Sequence, residues 1–242
     1  TLNVTVGPGR DDFTDISLGS SVKDIYYSVD DQPQFNYYSP VALNEGKHAV
    51  KYFAKDNLEN TSIEQVLYIA VDGTAPQTEF QSTEMLYNEL YVSAKAVFGF
   101  TAKDPVIQDV ASGIFKTGYS IDNGDSVFAE TRNVIFQLSE GKHTVGYYSL
   151  DNVENAETQK IKSVWIDATP PVTTLTYTGG TQYTSPDGKL YASINTQYLL
   201  SAEDPLLNDV ASGVKLTKYK IDNGSWKLWD GTPVTLTEGI CT

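Results

Sequence analysis

The feature that most constrains this chain is an internal repeat. The stretch "NEGKHAVKYFAKDNLEN" at 44–60 returns 95 residues later as "SEGKHTVGYYSLDNVEN" at 139–155. The stretch "DPVIQDVASGIFKTGYSIDNG" at 104–124 returns 100 residues later as "DPLLNDVASGVKLTKYKIDNG" at 204–224. Several landmarks therefore keep one order at nearly one spacing, which indicates tandem copies of a single structural unit.

Two proline-containing segments separate the copies. "VDGTAP" at 71–76 and "IDATPP" at 166–171 also lie 95 residues apart. Proline has no amide to donate inside a sheet and biases the preceding residue toward extended backbone, so both segments read as stiff connectors. We expect three domains, at 1–73, 74–168 and 169–242.

The copies have the pattern of β-strands. In "HTVGYYSLD" the side chains of Val145, Tyr147 and Ser149 would share one face, because side chains alternate along a strand. "YSIDNGDSVF" and "YKIDNGSWKL" carry Asn-Gly between extended flanks, a strong hairpin signal. About seven short strands in each complete copy predict an all-β chain of tandem immunoglobulin-like β-sandwiches.

A family resemblance rests on motifs that recur between the copies. These are Ser-Gly-Ile or Ser-Gly-Val, Tyr-x-Ile-Asp, Glu-Gly-Lys-His, Asp-Asn-x-x-Asn and Ile-Asp-x-Thr-Pro-Pro. Together they resemble the bacterial Ig-like repeats of secreted and outer-surface proteins, including those of spirochaete outer-membrane proteins and large extracellular enzymes and adhesins. One departure stands at Glu154, where the loop often has glycine in such repeats. The resemblance implies spacers, stalks or adhesive repeats, located extracellularly or on a bacterial cell surface.

Charge and cysteine content argue against several kinds of partner and binding site. The chain has 31 acidic and 17 basic residues, a net charge of -14. Nucleic acids and anionic membranes are bound by basic patches, so neither is expected as a partner. No run of 18 apolar residues occurs, so no membrane insertion is expected. The single cysteine excludes an internal disulfide framework and a cysteine-based zinc site.

The sequence predicts that the chain is not an enzyme. His48 and His143 are the only histidines, and they occupy equivalent positions in two copies. A catalytic residue is seldom duplicated in this way, so each imidazole is expected to hydrogen-bond a tight turn, with a metal or pH-sensing role as the alternative. No Gly-x-Ser-x-Gly nucleophile motif and no phosphate-binding glycine loop is present.

Carboxylates form the main candidate site. In an immunoglobulin topology the loops after the second and sixth strands meet at the end where the chain enters the domain. Ca²⁺ requires six to eight oxygen ligands, and a Ca²⁺ site at each domain junction is predicted from the following residues: Asp72, Asp104, Asp109, Asp151, Asp167, Asp204 and Asp209. The alternative is ordinary turn chemistry, since aspartate side chains often hydrogen-bond their own backbone.

Aromatic residues give a second candidate. Trp226 and Trp229 follow the hairpin turn of the third copy and would stack on sugar rings in a carbohydrate-binding module. The alternative is that such aromatics are core residues and cross-strand pairs.

The predicted function is a non-catalytic spacer forming an extended rod, stalk or filament, with an adhesive or carbohydrate-binding module as the alternative. Expected partners are other domains of a larger protein, with a glycan or host protein under the adhesive alternative. Cys241 aligns with His143, and only Thr242 follows it. The third copy is therefore expected to lack its last two strands, and the first copy its first strand, through truncation. Strands donated by neighbouring subunits are the alternative.

Overall fold

The prediction of an all-β fold is confirmed. A computed structural model describes residues 2–4, 21–129 and 133–239, and this part of the chain contains 21 strands and no helix. It therefore contains no helix that could cross a membrane. The sequence pattern explains this result, because apolar residues alternate along short segments that end at Gly, Pro, Asn or Asp.

The strands follow one another in chain order. The first group is β1 (Leu2–Val4), β2 (Val22–Val29), β3 (Phe35–Asn36), β4 (Val41–Leu43), β5 (Gly46–Asp56), β6 (Gln65–Val71) and β7 (Gln77–Ser82). The second is β8 (Tyr91–Ser93), β9 (Phe98–Lys103), β10 (Ile114–Ile121), β11 (Val127–Ala129), β12 (Asn133–Phe136), β13 (Gly141–Asp151) and β14 (Lys160–Asp167). The third is β15 (Val172–Thr178), β16 (Gln182–Thr184), β17 (Leu190–Ala192), β18 (Gln197–Glu203), β19 (Lys218–Tyr219), β20 (Lys227–Leu228) and β21 (Val234–Thr235).

Two compact units divide the chain, and they are interleaved in sequence. The first unit comprises 1–81, 99–135 and 145–161, and the second comprises 82–98, 136–144 and 162–242. The three domains proposed from the sequence repeat remain a prediction.

A β-sandwich in the first unit gives the immunoglobulin-like arrangement. One sheet has the strand order β12-β9-β7, and β10 lies between β11 and β13 in the other. Phe100 on β9 stacks against Tyr147 on β13, with ring centroids 4.9 Å apart, and lies 5.6 Å from Tyr119 on β10. Aromatic side chains from both sheets therefore fill the space between them.

The alternation predicted for β13 is confirmed. Val145, Tyr147 and Ser149 are all buried. The Ser149 hydroxyl has buried hydroxyl partners at 2.7 Å (Thr78) and 2.9 Å (Thr117), so its polar atom is satisfied inside the core.

The first copy contributes a smaller sheet to the same unit. Its strand order is β3-β2-β5-β6, with Val29 opposite Val50. Leu43, Val50 and Val71 form its buried cluster. β1 pairs with β4, as β9 pairs with β12 in the second copy.

The second unit contains one long antiparallel pairing and several short ones. β15 pairs with β18, which also pairs with β21, while β8 runs parallel to β14. β16 and β17 form a hairpin, as do β19 and β20. All seven residues of β15 are exposed.

The hairpin turns differ in detail from the sequence prediction. Gly124 donates its amide to the carbonyl of Ile121 at 2.9 Å, and the residues with positive φ are Asp122 (53°) and Asn123 (59°). The tight turn therefore has Asp-Asn rather than Asn-Gly at its centre, because Asp and Asn also tolerate the left-handed region.

Predictions about the chain end lie outside the described residues. Cys241 belongs to the segment 240–242, for which the structure gives no description. The expectation of absent strands in the first and third copies remains a prediction.

The packing around Phe100 predicts a large mutational effect. Phe100→Ala should lower the free energy of unfolding by about 3–5 kcal/mol, because the side chain is 2% exposed and its removal leaves a cavity. Urea denaturation measures this change. As a control, Ile135→Ala, on a side chain that is 78% exposed, should change stability by less than about 0.5 kcal/mol. A loss below about 1 kcal/mol for Phe100→Ala would contradict a central core position.

Candidate metal centre

Three aspartates from separate strands meet in the first unit. Asp72 follows β6, Asp104 follows β9, and Asp151 is the last residue of β13. One carboxylate oxygen from each lies within 4.8 Å of the corresponding oxygens of the other two. The fold therefore gathers three of the seven predicted ligands into one cluster.

Asp72 is held by backbone amides on both sides. Its Oδ2 accepts the amide of Ser112 at 2.5 Å, and its Oδ1 accepts the amide of Thr74 at 3.2 Å. Burial raises the pKa of Asp72, but the hydrogen bonds from Ser112 and Thr74 outweigh it and leave this pKa below its usual value. Asp72 therefore favours the ionised form.

Asp151 organises its own loop. Its Oδ1 accepts the amides of Val153 at 2.9 Å and Asn155 at 2.8 Å, while the Asn155 side-chain amide donates to Oδ2 at 2.7 Å. The same Asn155 amide also donates to the Asp72 carbonyl oxygen at 3.1 Å. Glu154 adopts φ 68°, the left-handed conformation that glycine would take at this position, and its side chain points to solvent outside the cluster.

Asp104 carries an oxygen without a partner. Its Oδ2 accepts the Gly113 amide at 2.6 Å, but its Oδ1 is buried and has no hydrogen-bond partner. The residue is only 8% exposed. Burial raises the pKa of Asp104, helped by the charges of Asp72 and Asp151. The carboxylate with an unpartnered oxygen thus lies next to two other negative charges.

The second unit contains an equivalent arrangement. Asp167 Oδ2 accepts the Ser212 amide at 2.7 Å, and Asp204 Oδ2 accepts the Gly213 amide at 2.6 Å. Asp204 Oδ1 is again buried without a hydrogen-bond partner. Among the described residues this site has two carboxylates rather than three, and Asp204 is only partly buried.

Asp109 and Asp209 lie elsewhere. In each copy the residue is exposed at the tip of a two-residue turn, closed by paired backbone hydrogen bonds between residues 107 and 110 and between 207 and 210. Their φ values of 58° and 59° place them in the second central position of the turn. The structure does not bring either residue into the carboxylate cluster.

The histidines contact turns, as the sequence predicts. His48 Nε2 lies 3.0 Å from the Asn44 carbonyl oxygen, and His143 Nε2 lies 2.9 Å from that of Ser139. His48 Nδ1 also lies 3.0 Å from Asp30 Oδ2. Both partners of His48 are acceptors, so its surroundings suit an imidazolium with two donating nitrogens. The hydrogen bond to Asp30 raises the pKa of His48 above its ordinary value.

The two predicted tryptophans differ in exposure. Trp226 is 64% exposed, with Lys220 Nζ 5.7 Å from its ring centroid. Trp229 is partly buried, and its ring N–H donates to the Thr232 carbonyl oxygen at 3.0 Å. Only Trp226 therefore offers a largely free ring.

The sequence did not predict the donors that hold the carboxylates. Ser112 and Gly113 donate their backbone amides, and a backbone donor cannot be recognised from the type of its side chain. A signal was present, since "VASG" at 110–113 recurs at 210–213. A repeated Ser-Gly that follows a repeated aspartate by the same spacing indicates a shared hydrogen-bonded loop.

Comparisons with known proteins give a distant structural likeness and no family. No protein-family model and no curated protein matches the chain. Among solved structures, the chain is similar to the fibronectin(III)-like modules of Clostridium thermocellum CbhA, with 15% sequence identity and a TM-score of 0.36. The match covers 64% of this chain and 83% of that chain. The sandwich assignment rests on the strand pairing described above, and this likeness adds nothing about function.

The crowding of charge predicts that neutralising Asp104 stabilises the metal-free protein. Asp104→Asn keeps an oxygen that can accept the Gly113 amide and removes one of three neighbouring charges. In chelator at neutral pH, thermal unfolding should therefore show a higher midpoint for this variant than for the wild type. A lower midpoint would contradict the description of Asp104 as a strained, unpaired charge.

The pairing of His48 with Asp30 predicts a pH effect. The fold prefers protonated His48, so the pair stabilises the protein below the unfolded pKa of about 6.5, and this stabilisation is lost as pH rises through the raised folded value. Proton NMR should give a lower His48 pKa in Asp30→Asn than in the wild type, because the hydrogen bond that raises it is weakened. Equal His48 pKa values in the two proteins would contradict the pairing.

Proposed function

We propose that this chain is a non-catalytic spacer region of a bacterial cell-surface or secreted protein, related to the bacterial Ig-like repeats that its motifs resemble. Its tandem sandwiches would form an extended rod that holds other domains apart. The observation that carries this proposal is that the same hydrogen bonds hold both connectors, one connector in each compact unit.

The connector after the first copy is fixed by side chains on both sides. Besides the Asp72–Ser112 contact, the Thr74 hydroxyl donates to Glu45 Oε1 at 2.7 Å. Glu45 belongs to the Glu-Gly-Lys-His motif, and Gly46 in that motif has φ 138°. A Cβ at Gly46 would lie 2.8 Å from Gln108 Oε1, so glycine allows the turn at residues 107–110 to approach closely.

The connector after the second copy repeats three of these hydrogen bonds at equivalent residues. The Thr169 hydroxyl donates to Glu140 Oε1 at 2.5 Å, and the Thr169 amide donates to Asp167 Oδ1 at 3.2 Å. The Asn208 side chain donates to the Glu140 carbonyl oxygen at 3.2 Å. A connector that was only a flexible tether would not need the same hydrogen bonds twice, so the repetition supports a role in fixing successive domains.

An adhesive or carbohydrate-binding role is the second candidate. One observation favours it, namely that the ring of Trp226 is 64% exposed and therefore available for stacking on a sugar. A glycan array with the wild type and Trp226→Ala separates the two candidates. Selective binding that Trp226→Ala removes would favour adhesion over spacing.

Solution scattering tests the spacer proposal. A compact 242-residue globule would have a radius of gyration of about 18 Å, and a rod of tandem domains should clearly exceed it. Asp72→Ala/Asp167→Ala removes both connector carboxylates and should broaden the pair-distance distribution obtained from scattering. The control Asp125→Ala, at an exposed position in a hairpin loop, should leave this distribution unchanged.

Light scattering on the same samples gives the mass of the particle. A monomer with a large radius supports a spacer, whereas a stable dimer would support strand exchange between copies. A radius near the compact value, or no difference between the two variants, would contradict the rod.

A further inference from the structure

We propose that Asp72, Asp104 and Asp151 form a binding site for one Ca²⁺ ion. The inference stands apart from the spacer proposal, since a cation can bind here whatever the chain does.

The first reason is the pattern of unsatisfied atoms. Among the described residues, three buried side-chain polar atoms lack a hydrogen-bond partner, and they are Asp104 Oδ1, Ser112 Oγ and Asp204 Oδ1. Asp104 Oδ1 belongs to the cluster, Ser112 is the residue whose amide holds Asp72, and Asp204 Oδ1 is the counterpart of Asp104 Oδ1 in the second unit. Folded proteins rarely leave a buried carboxylate oxygen without a partner, so the missing partner is expected to be a ligand.

The second reason is uncompensated charge. Three carboxylates approach one another, and Glu45 adds a fourth negative charge that acts on Asp104. In the part of the chain that the structure describes, no lysine or arginine forms an ion pair with Asp72, Asp104 or Asp151. An unpaired buried charge is relieved either by protonation or by a bound cation, and only a cation would compensate all three carboxylates in their ionised form.

The third reason is the spacing of the oxygens. Two oxygens on opposite sides of a bound Ca²⁺ are about 4.6–5.2 Å apart. The three carboxylate oxygens lie within 4.8 Å of one another, so they fit inside the coordination sphere of a single ion. Ca²⁺ also accepts irregular coordination, which suits three carboxylates supplemented by water or carbonyl oxygens.

The fourth reason is preorganisation. Each carboxylate is already oriented by at least one backbone amide, from Ser112 to Asp72, from Gly113 to Asp104, and from Val153 to Asp151. An ionised carboxylate has about four lone-pair sites, so oxygens that accept these amides keep further sites for a cation. The ion would bind without first ordering its ligands, which reduces the entropic cost of binding.

The equivalent site in the second unit provides a matched control. Asp204 has the same hydrogen bond and the same unpartnered Oδ1 as Asp104, but its site contains Asp167 as the only other described carboxylate. With two charges and greater exposure, it should bind Ca²⁺ much more weakly. We therefore expect one tight site per chain.

Calorimetric titration of the chelator-treated wild-type chain with CaCl₂ measures the site directly. We expect one site with a Kd of about 10⁻⁴ M or tighter. Asp104→Asn should weaken binding at least tenfold, while Asp204→Asn should leave the tight site unchanged. At saturating Ca²⁺ the wild-type melting midpoint should rise by about 5 °C, and that of Asp104→Asn should hardly move.

Each alternative result counts against the proposal. No heat and no change of midpoint in the wild type would overturn it, as would equal loss of binding in Asp104→Asn and Asp204→Asn. An equal response to MgCl₂ would contradict the assignment to Ca²⁺. Because Asp104→Asn is expected to be more stable than the wild type without metal, a binding loss in this variant cannot be attributed to unfolding, and its melting curve in chelator verifies this.

Discussion

The hydrogen bond from the Ser112 amide to the Asp72 carboxylate links two copies of the repeat. Asp72 belongs to the connector that leaves the first copy, and Ser112 belongs to a loop of the second. The bond joins an ionised acceptor to a backbone donor, which is among the stronger hydrogen-bond types in proteins. The loop at 110–113 must stay in place for this bond, and the neighbouring Gly113 amide then holds Asp104. One contact thereby ties the connector, the loop and the carboxylate cluster together.

The cluster is separate from the aromatic packing of the sandwich, although Asp104 and Asp151 are themselves buried. The sandwich interior is apolar and aromatic around Phe100, with polar atoms such as the Ser149 hydroxyl fully paired. The unpaired oxygen of Asp104 lies at the end of the sandwich, where loops and connector meet. A buried carboxylate oxygen without a partner is unfavourable for stability, and such features occur at functional sites more often than elsewhere.

The sequence was informative where the copies could be compared with each other. Their spacing and alternation predicted strands, buried faces and the meeting of Asp72, Asp104 and Asp151. It could not separate Asp104 from Asp109, because both precede the same Ser-Gly and only the two-residue turn at 107–110 directs one inward and the other to solvent. It also could not identify Ser112 and Gly113 as donors, since their amides act irrespective of the side chain. The centre of the hairpin turn is Asp-Asn and not Asn-Gly. The sequence could not decide between these pairs, because both tolerate positive φ.

The two spacings of the repeat have a practical consequence. Connector landmarks recur after 95 residues, whereas those from Asp104 to Asp204 recur after 100, so five extra residues lie between the second connector and Asp204. This region holds the exposed β16–β17 hairpin, with Ser185 and Gly188 in its turn. The two copies thus differ in length here and still hold Asp104 and Asp204 by the same hydrogen bond. A fluorophore placed in this hairpin would give a spectroscopic probe on the second unit that leaves both connectors intact.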